Sequence, residues 1–144
     1  SHVGLNPTVA KLMNAGALEL ILVPQGTLAE QIRAKGAGLG GVLTPTGLGT
    51  LVQEGKQVIE VDGKKYILEK PMKADLAIVE ATYADTFGNG VNIGTTRNFN
   101  PLMALAADVV VMGTYEVREP GKVDPSSVTI HGVLVDYLVE IVEA

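Results

Sequence analysis

Glycine and proline cut this chain into short apolar runs, and the segments between the cuts alternate a helical spacing with an extended one. Seventeen glycines and seven prolines in 144 residues punctuate these runs, and no apolar run reaches the ~18 residues a membrane helix needs. What remains is a layered α/β architecture of short helices and strands around one core. Asp62-Gly63 sets the clearest local constraint. Between extended runs at 56–61 and 64–68 it supplies the two positive φ angles of a type I′ turn, which predicts a β-hairpin.

Other elements follow from caps and stops. Asn6 reads as an N-cap with Pro7 at the first helical position, Val9, Leu12 and Met13 sharing a face and Gly16 ending the helix. Residues 18–23 form a nearly continuous aliphatic run, the pattern of a strand buried on both faces, and Pro24-Gln25-Gly26 breaks it. Thr27 with Glu30 three positions on predicts a capping box, with Leu28 and Ile32 facing inward and Gly36 as the stop. Residues 36–50, GAGLGGVLTPTGLGT, are too glycine-rich for regular structure and too apolar for a linker, so a packed, functional loop is expected. Further on, the pattern predicts a buried strand at 76–79, a turn at Gly88-Asn89-Gly90, and a helix at 102–107 opened by Asn100-Pro101. A strand at 108–112 follows, then a loop around Pro120, Gly121, Asp124 and Pro125, and an extended β-branched tail over 133–142.

Composition removes several functions. Eleven basic against 16 acidic residues give a formal charge of −5, which argues against nucleic-acid binding. Without cysteine there is no disulfide framework and no thiolate metal site, and His2 and His131 lack the spacing of a metal pair. No metal is expected. Ser1-His2-Val3-Gly4 has neither the basic nor the apolar region of a secretory signal, so a cytoplasmic protein away from membranes is expected, or a mitochondrial matrix one in a eukaryote. The abrupt opening suggests a chain that begins inside a larger domain.

Gly36, Gly38 and Gly41 satisfy G-x-G-x-x-G, but they follow a helix and open a loop, the reverse of a dinucleotide site. No G-x-S-x-G elbow is present for a serine hydrolase. Glu54 and Glu60 sit among polar residues and read as solvated carboxylates. Arg97 fits either an anion or a structural pairing with Asp85 or Asp108. Gln25 stands out: at the carboxyl end of a predicted strand and just before a helix, a neutral amide can orient a carboxylate or carbonyl.

Taken together, Pro24-Gln25-Gly26-Thr27-Leu28-Ala29-Glu30-Gln31-Ile32-Arg33, Gly36-Ala37-Gly38, the run from Leu43-Thr44-Pro45-Thr46-Gly47 to Gln53-Glu54-Gly55, Asp85-Thr86-Phe87-Gly88-Asn89 and Arg97-Asn98-Phe99-Asn100-Pro101 resemble the alpha subunit of family I coenzyme A transferases, the acetate or 3-oxoacid type. The resemblance runs nearly the whole length in the family's order. It implies an α/β open sheet with flanking helices and a β-hairpin, of the sugar-phosphate isomerase/CoA transferase-like superfamily. The alpha subunit of that family normally begins with a G-G-F-x-x-x-G-x-P segment, which has no counterpart here. Residues 1–144 are therefore expected to be the C-terminal two-thirds of a single alpha-subunit domain. Its expected partners are the missing N-terminal segment and the family's beta subunit.

The implied reaction moves coenzyme A between an acyl-CoA and a short-chain carboxylate or 3-oxoacid through a glutamyl-CoA thioester. The glutamate nucleophile belongs to an E-N-G type motif on the beta subunit, so no catalytic residue is expected in this chain, and Glu54-Gly55 is not that motif. Coenzyme A is a substrate and no cofactor is implied. The resemblance places Gln25 and Gly26 in the acyl pocket with Leu43 and Thr44, the family having an aromatic near Val42 or Leu43. Asn6 is a further pocket candidate by its match to an asparagine of related chains. An alternative is a non-catalytic module of the same fold that binds a small anion.

Overall fold

The structure is a computed structural model and describes residues 6–142. Its chain divides into two compact units, Ser1–Leu28 with Leu43–Glu69 and Ala29–Val42 with Lys70–Ala144.

In the first unit, helix α1 spans Pro7–Asn14 as expected, with the Asn6 side chain accepting from the Val9 N–H at 3.1 Å. The aliphatic run at 18–23 is not a strand. No strand of the described chain pairs with it, and Ile21 and Leu22 are 76% and 64% exposed. Aliphatic continuity gives a segment its affinity for a sheet, but a strand exists only where a neighbour completes its ladder.

Helix α2, Gln25–Gly36, crosses from one unit into the other. It begins two residues before the expected cap, because the Pro24 carbonyl already accepts from the Leu28 N–H at 2.9 Å. Thr27 thus lies inside the helix and is buried with Gln31 and Ala34, while Leu28 and Ile32 are only half-buried. Glu30, freed from a capping box, bonds Arg33 one turn on, with its Oε2 2.9 Å from Nε. At the C-terminus the Leu39 N–H donates to the Ala34 carbonyl and the Gly38 N–H to that of Lys35, a Schellman closure with Gly38 at φ +68°.

The stretch at 36–50 is packed only in part: Gly36 lies close against Leu105 and Gly47 against Val52, whereas Ala37 to Gly40 and Leu43 face solvent, and Val42–Thr44 forms strand β1. Strands β2, Val58–Val61, and β3, Lys64–Glu69, make the expected antiparallel hairpin with Val61 opposite Lys64. Asp62 and Gly63 have φ of +51° and +74°, so the turn has the sign pattern of type I′. The sheet order is β1-β3-β2.

The second unit is built on β4, Ala74–Ala81. Strands β5, Tyr83–Asp85, and β6, Gly90–Val91, pair antiparallel, and helix α3 spans Asn100–Ala106. Strand β7, Ala107–Thr114, lies parallel to β4, β8, Val117–Arg118, joins β5, and β9, Tyr137–Glu140, lies parallel to β7. The resulting β4-β7-β9 sheet is all parallel.

Its core lies on one face. Ala77, Val79, Ala81, Val110 and Met112 pack with Ala84, Ala104 and Ile130, which arrive on the connections between the strands. The expectation of a fully buried strand at 76–79 therefore holds for one face only, since Leu76 and Ile78 point to the other and are exposed. The tail is likewise mixed, a 3₁₀ turn at Gly132–Leu134 preceding β9. Asp136 fixes that junction: its N–H donates to the Val110 carbonyl and its Oδ2 accepts from the Val110 N–H at 2.8 Å.

Candidate functional site

The five residues singled out by sequence all belong to the first unit. Gln25 is the first residue of α2 and its side chain is exposed, as is Gly26. Backbone N–H groups of a helix's first turn have no intrahelical acceptor, and the aligned peptide dipoles favour an anionic oxygen there. Gly26 is needed neither by its backbone nor by packing: its φ is not positive, and a Cβ placed on it would meet nothing within 4 Å.

Leu43 projects from β1 and is exposed. The Thr44 hydroxyl accepts from the Thr46 N–H at 3.2 Å, which turns the chain out of β1. The Asn6 amide oxygen is engaged as the cap of α1. No hydrogen bond links any two of Asn6, Gln25, Gly26, Leu43 and Thr44 among the described residues, so the chain presents them as separate surface groups.

Arg97 does not make either expected ion pair. The Asp85 carboxylate is occupied by the N–H groups of Phe87 and Asn89 and by the Asn89 amide, and Asp108 pairs with Lys73. Arg97 instead lines an open cleft of about 610 Å³ with Tyr83, Asn92, Ser126 and Ser127. Arg118 is committed elsewhere: its Nε sits 2.7 Å from Glu116 Oε1, and its guanidinium lies 3.5 Å over the Tyr83 ring. Bonding to Arg118 holds the Glu116 carboxyl below the usual glutamate range, as Arg33 does for Glu30. His131 is exposed, and His2 lies outside the described residues.

Sequence reasoning missed two polar residues. Glu69 ends β3 almost fully buried, 2% exposed, with Lys56 Nζ 2.7 Å from its Oε1. The signal was available, since Glu69 shares with Ile67 the inward face of a strand of period two. Asn100 was expected to cap α3. The helix includes it, and its side chain bridges instead, accepting from the Glu80 N–H at 3.0 Å and donating to the Thr96 carbonyl at 2.8 Å. No spacing rule reveals such a contact across 20 residues.

Among the described residues no three His, Asp or Glu side chains converge as a metal site would need, and no helix is long and apolar enough to cross a membrane.

A parallel sheet with its connections gathered on one face, and a hairpin sheet in the other unit, define a layered α/β protein. Known proteins narrow that class. The profile described as coenzyme A transferase matches residues 1–141, and the chain belongs to the coenzyme A transferase family. It is 49% identical over 139 residues to the alpha subunit of the acetate CoA-transferase of Escherichia coli strain K12, a match covering 96% of this chain and 63% of that protein. It is 45% identical over 140 residues to the acetoacetyl-CoA:acetate/butyrate CoA transferase alpha subunit of Clostridium acetobutylicum, covering 97% of this chain and 64% of that one. The crystal structure of an acyl-CoA transferase apoenzyme from Escherichia coli O157:H7 superposes with a TM-score of 0.86 at 25% identity, over 96% of this chain and 30% of that one. The chain thus spans somewhat less than two-thirds of the curated relatives it matches.

Proposed function

We propose that this chain is the larger part of the alpha subunit of a heteromeric coenzyme A transferase that moves coenzyme A between an acyl-CoA and a short-chain carboxylate or 3-oxoacid. The observation that carries the reading is the near-complete match, 49% and 45% identical, to alpha subunits whose names state that reaction class. The beta subunit supplies the nucleophilic glutamate. Its carboxylate oxygen attacks the thioester carbonyl and expels the coenzyme A thiolate, leaving a mixed anhydride. The thiolate then attacks the glutamyl carbonyl, releases the first acid as a carboxylate and forms the glutamyl-CoA thioester, which the second acid reopens by the same steps in reverse. Charge on each attacked carbonyl oxygen is what a protein must stabilise.

In this reading the first turn of α2 forms one wall of the acyl pocket. The Gln25 amide orients the carboxylate or anhydride, and the side-chain-free Gly26 leaves the helix N–H groups open to it. A glycine that neither backbone nor packing demands is explained by a ligand passing close. Leu43 and Thr44 shape the acyl end, and Asn6 stands further along the wall. Coenzyme A is a substrate, no further cofactor takes part, and the protein works in the cytoplasm.

The test is co-expression of the intact alpha subunit with its partner, followed by measurement of coenzyme A exchange between acetyl-CoA and a panel of short carboxylates and 3-oxoacids. Exchange that needs both subunits, with a hydroxylamine-sensitive acyl-enzyme on the partner, is the expected result. Tight carboxylate binding with no exchange would assign the chain to a binding module instead.

A further inference from the structure

Gly36 is the last residue of α2, and nothing in its own backbone asks for glycine: its φ is not positive, and Gly38 makes the closing turn. At such a helical position alanine is the more favourable residue. Packing supplies the reason for glycine. A Cβ built on Gly36 would overlap the Leu105 Cβ and lie 3.0 Å from the Leu105 carbonyl oxygen and 3.2 Å from its carbonyl carbon. The backbone of α3 fixes all three atoms, so no change of rotamer moves them. Nor can that backbone withdraw. Leu105 stands between Ala104 and Ala106, which are 2% and 4% exposed, and Ala104 belongs to the core with Val79 and Val110.

A second point holds the middle of α2. Gln31 and Ala34 are buried, and the Gln31 carbonyl accepts from the Met72 N–H at 3.0 Å. Gln31 lies five positions from Gly36 and six from Gln25, so it divides a rod roughly 16 Å long into nearly equal arms. A methyl group added at Gly36 drives that end of α2 away from α3 by about 1 Å, the shortfall from an ordinary carbon–carbon contact. With the middle held, the Gln25 end swings by a similar distance the other way.

We propose that Gly36 is a positioning residue for the exchange reaction: by letting α2 close on α3 it sets the line of that helix, and with it the place of the Gln25 amide and the first-turn N–H groups. Gly36 touches no substrate and acts through the helix alone. The proposal rests on the reading of Gln25 and Gly26 as part of the acyl pocket. A donor aimed at a reacting oxygen tolerates little displacement, and an error of about 1 Å costs on the order of 10²-fold in rate.

The test compares Gly36→Ala with the double variant Gly36→Ala/Leu105→Gly, which takes away the overlapping Cβ, each in the intact alpha subunit assembled with its partner. Gly36→Ala is expected to lower kcat by about 10²-fold while KM for the acyl-CoA changes less than ~3-fold. The double variant should regain at least ~10-fold of that loss, and Leu105→Gly alone should keep kcat within ~3-fold of the unmodified enzyme. Crystal structures of the two assembled variants give a second readout: with α3 superposed, the Gln25 Cα shifts by about 1 Å in Gly36→Ala and returns in the double variant. A lower urea midpoint with kcat unchanged marks a merely structural glycine and overturns the proposal. So does lost turnover with Gln25 unmoved, or a loss that Leu105→Gly does not repair. If Gly36→Ala fails to assemble, the double variant decides, and an assembled double variant without turnover overturns the proposal. Absence of exchange in the unmodified protein would count against the proposed reaction, and the crystallographic shift would still decide whether Gly36 sets the line of α2.

Discussion

Asp85 and Asn89 close one turn together: the Asp85 carboxylate accepts from the Asn89 backbone N–H at 2.9 Å and, through Oδ2, from its side-chain amide at 2.9 Å, while the Asn89 amide oxygen accepts from the Gly132 N–H at 3.0 Å. The Asp85-to-Asn89 sequence, one of those carrying the family resemblance, thus has a structural task, tying the β5–β6 turn to the segment before β9. Asp85 is buried, so removing it strands donors that water cannot easily reach. Asp85→Ala is expected to cost about 2–4 kcal/mol, measured as a lower urea midpoint of the assembled protein. Asp124→Ala, which removes the same kind of turn carboxylate at an exposed site, should lower that midpoint by less.

The buried Glu69 depends on Lys56. Lys56→Ala withdraws its ammonium and is expected to destabilise by about 2 kcal/mol, below the roughly 3–5 kcal/mol of a fully buried pair because the lysine is partly exposed. Replacing both, Lys56→Met with Glu69→Leu, should recover most of the loss, since two apolar groups need no desolvation of charge. A double-mutant cycle in urea reads the coupling directly, and simple additivity would show that the pair contributes nothing.

Asn100→Ala removes an acceptor from the Glu80 N–H and a donor from the Thr96 carbonyl. The expected cost is about 1–3 kcal/mol, with faster amide exchange at Glu80. Were the residue merely a helix cap, faster exchange would be confined to the first turn of α3.

Asp124 offers a pH test. The Ser126 backbone N–H, helped by the Ser126 and Ser127 hydroxyls, holds its carboxyl below the ordinary aspartate value. A lowered folded pKa means that the contribution to stability is complete above the ordinary value and is lost as pH falls through the lowered one. A carboxyl-carbon NMR titration should therefore place the Asp124 midpoint below that of an unstructured aspartate. Ser126→Ala should restore only part of the difference, because the leading donor is the backbone.

For the proposed pocket, Gln25→Ala should lower kcat by about 10²-fold, the scale of a lost preorganised donor, while assembly of the two subunits, measured by sedimentation, stays as in the unmodified protein. Unchanged turnover would remove Gln25 from the pocket.

How much of this was legible in sequence depended on the range of the interactions. The Asp62-Gly63 hairpin and the Asn6-Pro7 start of α1 could be read directly, because positive φ angles and an N-cap are settled within four residues. The family resemblance was also carried by contiguous motifs, but Gln25 and Gly26, expected in a break between a strand and a helix, are the first two residues of α2. The Thr27–Glu30 box failed because Pro24, upstream of the expected first turn, offered its carbonyl to Leu28 first. Asn100 failed because its partner is a strand 20 residues away.

By itself the sequence determined the layered α/β class, the Asp62-Gly63 turn, the start of α1 and the end of α2, the last three set by local backbone chemistry. Only tertiary structure decided which strands exist and which faces they bury. The aliphatic run at 18–23 and the strand β4 look alike in sequence. β4 has β7 alongside, whereas 18–23 has no described strand to pair with, and the hydrogen bonds that make a strand belong to the neighbour as much as to the chain itself.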